Sequence, residues 1–416
     1  MLVVGAGPAG SAAAYWLAVQ GHDVLVVEKK RFPREKTCGD GLTPRAVKQL
    51  VDMGLGERLD DYHRYDGLRA YAHGVTLEMR WPEHPDFPSH GFVVRRRDLD
   101  QIVAQHAVKA GARLWEKAEA TEPLLDQGLV RGAAIERKGE GPGMVEEVRA
   151  RYVVIADGSL SRFGRSLGTS RNRAYPQGLA IRGYYESPLH DDPWIESCLD
   201  LRDRSGNSLP GYGWVFPVGD GTINVGVGLL STFRGWKSVN TSHLIEEYVA
   251  TLPAHWGRVD GSSTGTPTGG RLPMAGSVSP KVGPNYLVVG DAAGSINPFN
   301  GEGIDYAYET GRMAAECLHE ALTVGSALAL RRYPEWLEEE YALYFKVARL
   351  FAGVIGRPAL MRELTRVGMQ SRSLMEWVLR IMANLLRPDE VGPAEAVYRA
   401  VARLVGPLPD PARQIA

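Results

Sequence analysis

This sequence of 416 residues has few cysteines, no pair of histidines at the spacing of metal ligands and no long apolar run. Its three cysteines, Cys38, Cys198 and Cys317, stand far apart, which excludes a disulfide framework and a thiolate metal site and suits a reducing compartment. Ten histidines show no pair at ligand spacing, so we predict no metal. No stretch approaches about eighteen uninterrupted apolar residues and no signal peptide is evident, so we expect a cytoplasmic globular protein without a membrane-spanning helix.

Net charge is also close to zero, because 48 Lys and Arg residues are balanced by 49 Asp and Glu residues. This balance excludes the strongly basic surface with which a protein binds nucleic acid. From Lys346 onward, however, eleven basic residues oppose six acidic ones. Seven apolar residues there recur at helical spacing: Leu374, Trp377, Val378, Ile381, Met382, Leu385 and Leu386. The stripe has two interpretations, a helix docked on the protein's own core or a helix lying on anionic lipid.

The chain does contain a glycine-rich turn at its start. A short apolar strand runs into Gly5-x-Gly7-x-x-Gly10, and an Ala-rich helix follows. Gly5 permits the tight turn, Gly7 lets the backbone approach a pyrophosphate, and Gly10 lets the helix pack close to the strand. Glu28 ends the next predicted strand, where a carboxylate binds ribose hydroxyls. This βαβ unit predicts a dinucleotide site, but it does not separate NAD from FAD.

Three later segments point to FAD. Arg96-x-x-Leu99-Asp100, Asp157-Gly158 and Gly290-Asp291-Ala292-Ala293, taken with the opening motif, resemble the flavoproteins that include p-hydroxybenzoate hydroxylase and the geranylgeranyl reductases. In that family the late Gly-Asp pair binds the ribityl and phosphate region, and the early arginine touches FAD. The resemblance implies an α/β fold of the p-hydroxybenzoate hydroxylase type, with a Rossmann-type parallel sheet, a β-rich substrate domain and a helical C-terminal region.

Three further segments resemble the geranylgeranyl reductases in particular. Cys38-Gly39-Asp40-Gly41-Leu42 is similar to their Cys-Gly segment, and residues 210–217 match the P-x-Y-x-W-x-F-P signature that lines their substrate cavity. Residues 297–303 resemble the loop whose backbone N–H groups face the flavin. The amino-acid sequences of residues 40–47, 209–214 and 300–306 resemble the corresponding segments of the actinobacterial menaquinone reductases. Those enzymes saturate one isoprene unit of the menaquinone side chain.

The resemblance implies an FAD-dependent reductase that saturates an isoprenoid double bond in a membrane-resident polyprenyl lipid or quinone, with menaquinone as the first candidate. Members of the family accept electrons from varied sources, including reduced ferredoxin and NAD(P)H, so the resemblance makes both of these candidate donors and selects neither. The residues that we expect at the cofactor are Gly5, Gly7, Ala9, Gly10, Glu28, Lys29, Cys38, Gly39, Arg96, Asp157, Gly290, Asp291, Pro298, Gly301, Gly303 and Ile304.

Three alternatives stay open at this point. One is a geranylgeranyl reductase acting on a prenyl diphosphate or prenylated lipid. Another is a flavin-dependent aromatic hydroxylase, monooxygenase or halogenase on the same fold. The third is a non-catalytic flavin-binding or lipid-carrier protein.

Cys38, Tyr212 and Trp214 are the predicted catalytic residues. Tyr212, Trp214 and Phe216 alternate along a strand and so share one face, which either lines a cavity or fills a core between two sheets. A thiol with an ordinary pKa of about 8.5 is mostly protonated at neutral pH, so Cys38 either donates a proton or is a small buried hydrophobe.

Three charged residues near these motifs have two interpretations each. Asp40 and Glu302 are either proton relays or acceptors for loop N–H groups, and Arg45 either faces the cofactor or caps its helix. A substrate that lives in the bilayer favours peripheral association of the basic C-terminal helices with the cytoplasmic face of the membrane.

We predict three regions. Residues 1–67, 95–168 and 270–330 form a discontinuous FAD-binding domain, residues 68–94 and 169–269 an antiparallel substrate domain, and residues 331–416 a helical region that faces the membrane.

Overall fold

The strands and helices come from a computed structural model that describes residues 1–139, 144–233, 235–236, 239–257, 259–387, 390 and 392–408. In chain order, its strands are β1 (Leu2–Val4), β2 (Leu25–Glu28), β3 (Gly41–Leu42), β4 (His63–Tyr65), β5 (Gly67–Ala72), β6 (Val75–Arg80), β7 (Gly91–Val93), β8 (Arg113–Glu116), β9 (Ala118–Asp126), β10 (Leu129–Arg137), β11 (Val145–Arg149), β12 (Val153–Ile155), β13 (Ser170–Arg171), β14 (Gln177–Glu186), β15 (Trp194–Cys198), β16 (Gly211–Pro217), β17 (Thr222–Leu230), β18 (Thr268–Pro273), β19 (Val278–Ser279) and β20 (Tyr286–Val288). Its helices are α1 (Pro8–Val19), α2 (Pro44–Asp52), α3 (Gly56–Leu59), α4 (Arg96–Lys109), α5 (Arg162–Ser166), α6 (Thr241–Ala250), α7 (Ile304–Val324), α8 (Arg332–Leu337), α9 (Leu343–Ile355), α10 (Pro358–Gly368), α11 (Arg372–Met382) and α12 (Pro393–Val405).

A five-stranded parallel sheet in the order β20-β12-β1-β2-β8 carries the opening motif. β1, β12 and β20 consist of buried apolar residues, as expected of parallel strands covered on both faces. Because these strands run in one direction, the segments that follow them meet at one edge of the sheet. Gly5, Asp157 and Gly290 lie within two residues of the ends of β1, β12 and β20, so the sheet brings these predicted cofactor residues together.

A second sheet, in the order β18-β14-β17-β16-β15-β5-β6, is antiparallel except between β15 and β5. One of its faces packs against α6 through an apolar core that contains Val215, Val227 and Leu244. The sequence showed no long helical pattern between residues 175 and 265, so α6 was missed. Asn240 caps this helix by accepting hydrogen bonds from two backbone N–H groups, and its apolar residues face the sheet.

The apolar residues from Val148 to Ile155 predict one buried strand from the sequence, but the structure divides this segment. Val148 belongs to β11 and pairs with β10 in an antiparallel three-stranded sheet, whereas β12 begins at Val153 and pairs with β1. The expectation was wrong because the polar strand β11 ends at Arg149, and the chain bends at Arg151 and Tyr152 before the apolar strand β12 begins. The two segments therefore belong to different sheets.

The C-terminal region is helical, and its helices pack against both the parallel sheet's core and the second sheet. The predicted single stripe from Leu374 to Leu386 is wrong, because α11 ends at Met382 and Asn384 then takes a positive φ of 52°. The side chains of α11 that are buried are instead Met375 and Leu379. Residues 409–416 of the predicted helical region lie outside the described residues. In the described part of the chain, no helix combines the length and apolarity that a membrane crossing needs.

Candidate active site

The turn between β1 and α1 has the shape of a phosphate cradle. Gly5 has a φ of 100°, which favours glycine, and a Cβ on Gly10 would lie 1.9 Å from the Gly5 carbonyl oxygen. Gly10 is therefore needed for packing. At Gly7, by contrast, the nearest atom to an added Cβ is Arg34 Nη2 at 3.9 Å, so the protein leaves this position open. No side chain caps α1, and its first N–H groups are available to an anion.

Glu28 lies beside the turn between β1 and α1. Its carboxylate accepts hydrogen bonds from the backbone N–H groups of Ala6 (3.1 Å) and Lys30 (3.0 Å), and Arg34 approaches it at 3.4 Å. Lys29, the next residue, is exposed. The carboxylate thus ties the second strand to the glycine turn.

Arg96, the first residue of α4, is buried and paired. Its guanidinium donates to both oxygens of Asp100, at 2.7 and 2.8 Å, and Arg34 Nη1 lies 2.9 Å from the same carboxylate. Arg96 also lowers the pKa of the Cys38 thiol, although the effect of burial, which raises that pKa, is larger. Arg34 was not identified from the sequence, although it connects the predicted residues Glu28 and Arg96.

Asp157 and Asp291 follow β12 and β20. Asp157 accepts hydrogen bonds from the Ser161 hydroxyl (2.6 Å) and the Phe163 N–H (3.0 Å), and burial raises its pKa. The Asp291 side chain is half-buried near Gly303, where an added Cβ would lie 3.6 Å from Asp291 Oδ1. Of the two carboxylates, Asp157 is the one with hydrogen-bond donors among the described contacts.

Small residues, among them Ala9 and Gly290, are needed at the carboxyl edge of the parallel sheet because the helices α1 and α7 come close together there. A Cβ on Gly290, whose φ is 59°, would lie 2.8 Å from the Ala9 Cβ. A Cβ on Gly311 would lie 2.4 Å from the Ala9 carbonyl oxygen. These contacts hold α1 and α7 close together at the carboxyl edge of the parallel sheet.

The segment from Cys38 to Asp40 is held by a buried polar cluster. Asp40 takes a positive φ of 67°, and its carboxylate accepts from the Arg96 N–H (3.2 Å), the Asn224 amide (2.8 Å) and the Tyr184 hydroxyl. Asn224 also donates to the Cys38 carbonyl at 3.0 Å. The Asp40 carboxylate therefore accepts both backbone and side-chain donors. Burial raises its pKa and that of the Cys38 thiol.

Tyr212, Trp214 and Phe216 form one aromatic row, with ring centroids 5.9 and 6.2 Å apart. The row lies on the face of β16 opposite to Val215, which packs in the core under α6. Cβ atoms on Gly39 and Gly41 would lie 3.1 and 3.2 Å from the Phe216 ring, so the Cys38–Gly41 segment runs directly over the row. The row therefore does not belong to the core under α6.

The loop over residues 297–303 joins this row to the C-terminal helices. The Tyr212 hydroxyl donates to the Asn300 carbonyl at 2.6 Å. The Asn297 amide donates to the Tyr344 hydroxyl (3.1 Å) and the Met382 carbonyl (2.9 Å), and Gly301 has a φ of 78°. Pro298 is buried within the loop, Gly303 ends it, and Ile304 begins α7. The C-terminal region thus supports the loop from behind.

Arg45 does not cap α2, nor does it lie free for a cofactor. Its guanidinium donates to both oxygens of Glu309, at 2.7 and 2.8 Å, and to the Asn384 carbonyl at 3.2 Å. Glu302 accepts from the Thr43 hydroxyl and from the Asn300 amide at 3.2 Å. Among the described hydrogen bonds, the Glu302 carboxylate therefore accepts from side chains and not from loop N–H groups.

Two residues of the site had a weak signal or none in the sequence. Asn224 is a fully buried polar residue inside the apolar strand β17, and such a residue indicates a buried hydrogen bond. Tyr344 lies on α9 among several aromatic residues, and nothing in its pattern distinguishes it. Both contact their partners across 47 residues or more of sequence.

Comparison with known proteins agrees with this geometry. Residues 1–204 match the FAD binding domain family. The menaquinone reductase of Mycobacterium tuberculosis (strain ATCC 25618 / H37Rv) is 42% identical over 407 residues, covering 97% of this chain and 95% of that protein. Digeranylgeranylglycerophospholipid reductase 1 of Methanopyrus kandleri is 34% identical over 85% of this chain and 90% of that protein. The crystal structure of a geranylgeranyl bacteriochlorophyll reductase-like protein from Thermoplasma acidophilum has a TM-score of 0.75 at 24% identity, covering 97% of this chain and 98% of that one.

Proposed function

Because this chain belongs to the FAD-dependent reductase family of the menaquinone reductases and digeranylgeranylglycerophospholipid reductases, we propose that it saturates a double bond in the prenyl side chain of menaquinone. The observation that carries this proposal is the aromatic row of β16, which lies between the Cys38–Gly41 segment and the loop over residues 297–303. A row of aromatic faces beside a flavin loop suits an extended apolar chain.

The residues around the glycine turn fit FAD. The open position at Gly7 and the uncapped start of α1 suit its pyrophosphate, and the Glu28 carboxylate beside the same turn suits its ribose hydroxyls. Asp291 and the backbone of Gly301 and Gly303 lie at the far end, where the ribityl chain and the flavin ring would be bound. FAD in its reduced form supplies a hydride.

An isolated trisubstituted alkene is a poor hydride acceptor, because no carbonyl delocalises the negative charge. Its reduction therefore needs a proton source on the side opposite to the hydride, and aromatic faces that stabilise developing positive charge. Trp214 and Tyr212 supply those faces in our proposal. Cys38 holds a protonated thiol beside them, since burial raises its pKa. The family accepts electrons from varied sources, and we expect reduced ferredoxin or NAD(P)H as the donor.

We also propose that the C-terminal helices rest on an anionic membrane surface, although not through the stripe expected from the sequence. On α10, Leu360, Leu364 and Val367 are 37%, 44% and 56% exposed, and their spacing places them on one face. Leu374 at the start of α11 is 37% exposed. Exposed arginines stand along the same helices: Arg357, Arg362, Arg366 and Arg372. Apolar residues bordered by arginine suit a lipid surface with negative headgroups.

The experiment that tests the function is an anaerobic incubation of the protein with FAD, a chemical reductant and menaquinone, with the products read by mass spectrometry. We expect a menaquinone that has gained two hydrogen atoms in its side chain. A hydroxylated product that requires oxygen would instead identify an aromatic hydroxylase. Parallel incubations with geranylgeranyl diphosphate and a geranylgeranylated lipid show whether those chains are reduced in preference to menaquinone.

A further inference from the structure

Three residues of β17 are of types that are depleted in buried strands. Asn224, Gly226 and Gly228 occupy alternate positions of the strand, so they share one face of the second sheet. Each pairs directly with a member of the aromatic row on β16, and directly paired residues of antiparallel strands lie on the same face. Glycine inside a strand indicates the close approach of another group, and a fully buried asparagine indicates a hydrogen bond. The three residues therefore point to contacts with the row.

Gly226 provides the space for the indole of Trp214. A Cβ at this position would lie 2.1 Å from Trp214 Cζ2 and 2.5 Å from Trp214 Cε2. The benzene half of the indole therefore lies directly over the backbone of β17. At Gly228, a Cβ would lie 3.7 Å from Trp214 Cζ3, which is an ordinary contact, so the indole does not require this second glycine. The position of the ring over the sheet depends on Gly226.

The side-chain amide of Asn224 engages its oxygen and its nitrogen at the same time. The oxygen accepts from the Trp214 indole N–H at 3.0 Å. The nitrogen donates to the Cys38 carbonyl at 3.0 Å and to Asp40 Oδ2 at 2.8 Å. A carbonyl and a carboxylate only accept, and an indole N–H only donates, so these partners permit one orientation of the amide. Asn224 therefore joins the indole to the segment that carries Cys38 through a single planar group.

The Cys38–Gly41 segment also lies against the nitrogen edge of the indole. A Cβ on Gly39 would lie 3.4 Å from Trp214 Nε1, a contact that leaves little room for movement. Asp40 takes a positive φ of 67°, and its carboxylate accepts from the Arg96 N–H at 3.2 Å as well as from Asn224. The backbone of the segment is therefore held on one side by the start of α4 and on the other by β17.

An apolar side chain of similar size would suit the burial of position 224 but not its contacts. It would take the amide away from the indole N–H and from the Cys38 carbonyl, and buried polar groups without partners are costly. The strand itself would still pair with β14 and β16, because that pairing uses backbone groups. The side chain of Asn224 is therefore needed for the arrangement of the site rather than for the formation of the sheet.

We propose that Asn224 is a positioning residue, which holds the Trp214 indole and the Cys38 backbone in the arrangement that prenyl reduction requires. This inference rests on the proposed function, in which both of those residues act on the double bond. Asn224 is 0% exposed and its amide is engaged, so it acts through these two partners and not by contact with the prenyl chain. Its loss should therefore lower kcat, while the KM for menaquinone and the affinity for FAD change little.

The first test measures kcat, KM and FAD affinity in Asn224→Leu and Asn224→Asp. Leucine removes the contacts to both partners, whereas aspartate keeps an oxygen that faces the indole and replaces the amide donor to Cys38. We expect kcat to fall roughly 100-fold in Asn224→Leu, the size expected for a misplacement of about 1 Å, and at least about 10-fold in Asn224→Asp. KM and FAD affinity should stay within about threefold of the wild type. Asn240→Asp makes the same replacement at the exposed cap of α6, where aspartate also caps well, and should match the wild type.

The second test needs neither FAD nor turnover. The indole nitrogens of the protein are labelled for NMR, and the Trp214 signal is identified by its absence from Trp214→Phe. Deuterium should replace the Trp214 indole proton at least about 10-fold faster in Asn224→Leu than in the wild type, because the hydrogen bond that protects the proton is lost. Asn224→Asp should keep most of this protection, since its carboxylate still accepts from the indole.

The outcomes separate this inference from the function on which it rests. A wild type that reduces menaquinone no faster than Asn224→Leu and Asn224→Asp overturns the positioning role alone. An unprotected Trp214 indole proton in the wild type overturns the hydrogen bond on which that role depends. A wild type that protects this proton but reduces no prenyl chain overturns the proposed function. If Asn224→Leu does not fold, Asn224→Asp decides the matter, since a normal kcat in it contradicts the positioning of Cys38.

Discussion

The Cys38 thiol is the residue on which the proposed proton delivery depends most directly. Burial raises its pKa, so the thiol stays protonated at neutral pH, and Asn224 holds its backbone beside Trp214. We predict that Cys38→Ser lowers alkene reduction at least about 10-fold, because a serine hydroxyl is a much weaker acid. Cys198→Ser, at a half-buried thiol in β15, serves as the matched control. Full turnover in Cys38→Ser with unchanged FAD content would contradict this role.

Glu302 also makes the stability of the fold depend on pH. Its pKa is raised from the usual 4.5 to about 7, so between these values the folded protein holds a proton that the unfolded chain releases. The free energy of unfolding therefore falls as the pH rises through this window. We predict that the wild type loses about 2 kcal/mol relative to Glu302→Gln between pH 5 and pH 8 in urea unfolding. Parallel curves for the two proteins would show that Glu302 is not buried as the structure has it.

Residues with a motif could be found from the sequence, and residues that act through distant contacts could not. Gly5 and Gly10 were identified because each answers a steric need of a local turn, and Gly290 was identified because its segment resembles a family motif. Asn224 reaches Cys38 across 186 positions, and no spacing rule connects them. The role of Arg45 remained open because its partner Glu309 lies 264 positions away.

At the scale of secondary-structure elements, the turn between β1 and α1 can be tested by comparing substitutions at two of its glycines. Gly7 and Gly10 stand in one motif, but only Gly10 meets the protein's own backbone when a Cβ is added. We predict that Gly10→Ala prevents stable folding, whereas Gly7→Ala folds with an unchanged melting temperature in the apo form. Gly7→Ala should nevertheless bind FAD at least about 10-fold more weakly, because its Cβ enters the space of the pyrophosphate. FAD titration and thermal melts measure both effects, and equal FAD affinity in Gly7→Ala would contradict the cradle.

The helix α11 shows why periodicity alone misplaced an element. Leu385 and Leu386 continue the spacing that begins at Leu374, but the chain leaves the helix at Ala383 and turns through Asn384. The turn lets the Asn384 amide reach the Tyr306 hydroxyl and its carbonyl accept from Arg45. A tertiary contact therefore ended the helix, and an apolar pattern does not report such contacts.

The fold class of the whole molecule was predictable from the sequence, because the predicted parallel strands and the order of the nucleotide-binding motifs indicate the same fold. The arrangement of helices around the site was not predictable, since residues such as Tyr344 are placed by packing alone. The division into an FAD-binding domain, a substrate domain and a helical region remains a proposal. The C-terminal helices support the flavin loop through Asn297, which adds a structural role to the membrane-facing one that we propose.

The membrane proposal makes a prediction about the intact protein. Replacing Leu364 and Val367 on α10 by Glu should lower flotation with liposomes that contain anionic lipid at least about 10-fold, since charge replaces the exposed apolar face. The double variant Leu125→Glu and Val145→Glu introduces the same two charges at positions of β9 and β11 that are 61% and 56% exposed, and it should float as the wild type does. Flotation that is equal in all three proteins, or absent from the wild type at low salt, would contradict the proposed surface.

The most direct test of the account is the anaerobic reoxidation of the reduced, FAD-loaded protein by menaquinone, followed by flavin absorbance and product mass together. We predict that the absorbance of oxidised FAD returns without oxygen, and that one prenyl double bond is saturated for each FAD reoxidised. Reoxidation that occurs only when oxygen is admitted, with an intact prenyl chain, would contradict the assignment as a prenyl reductase.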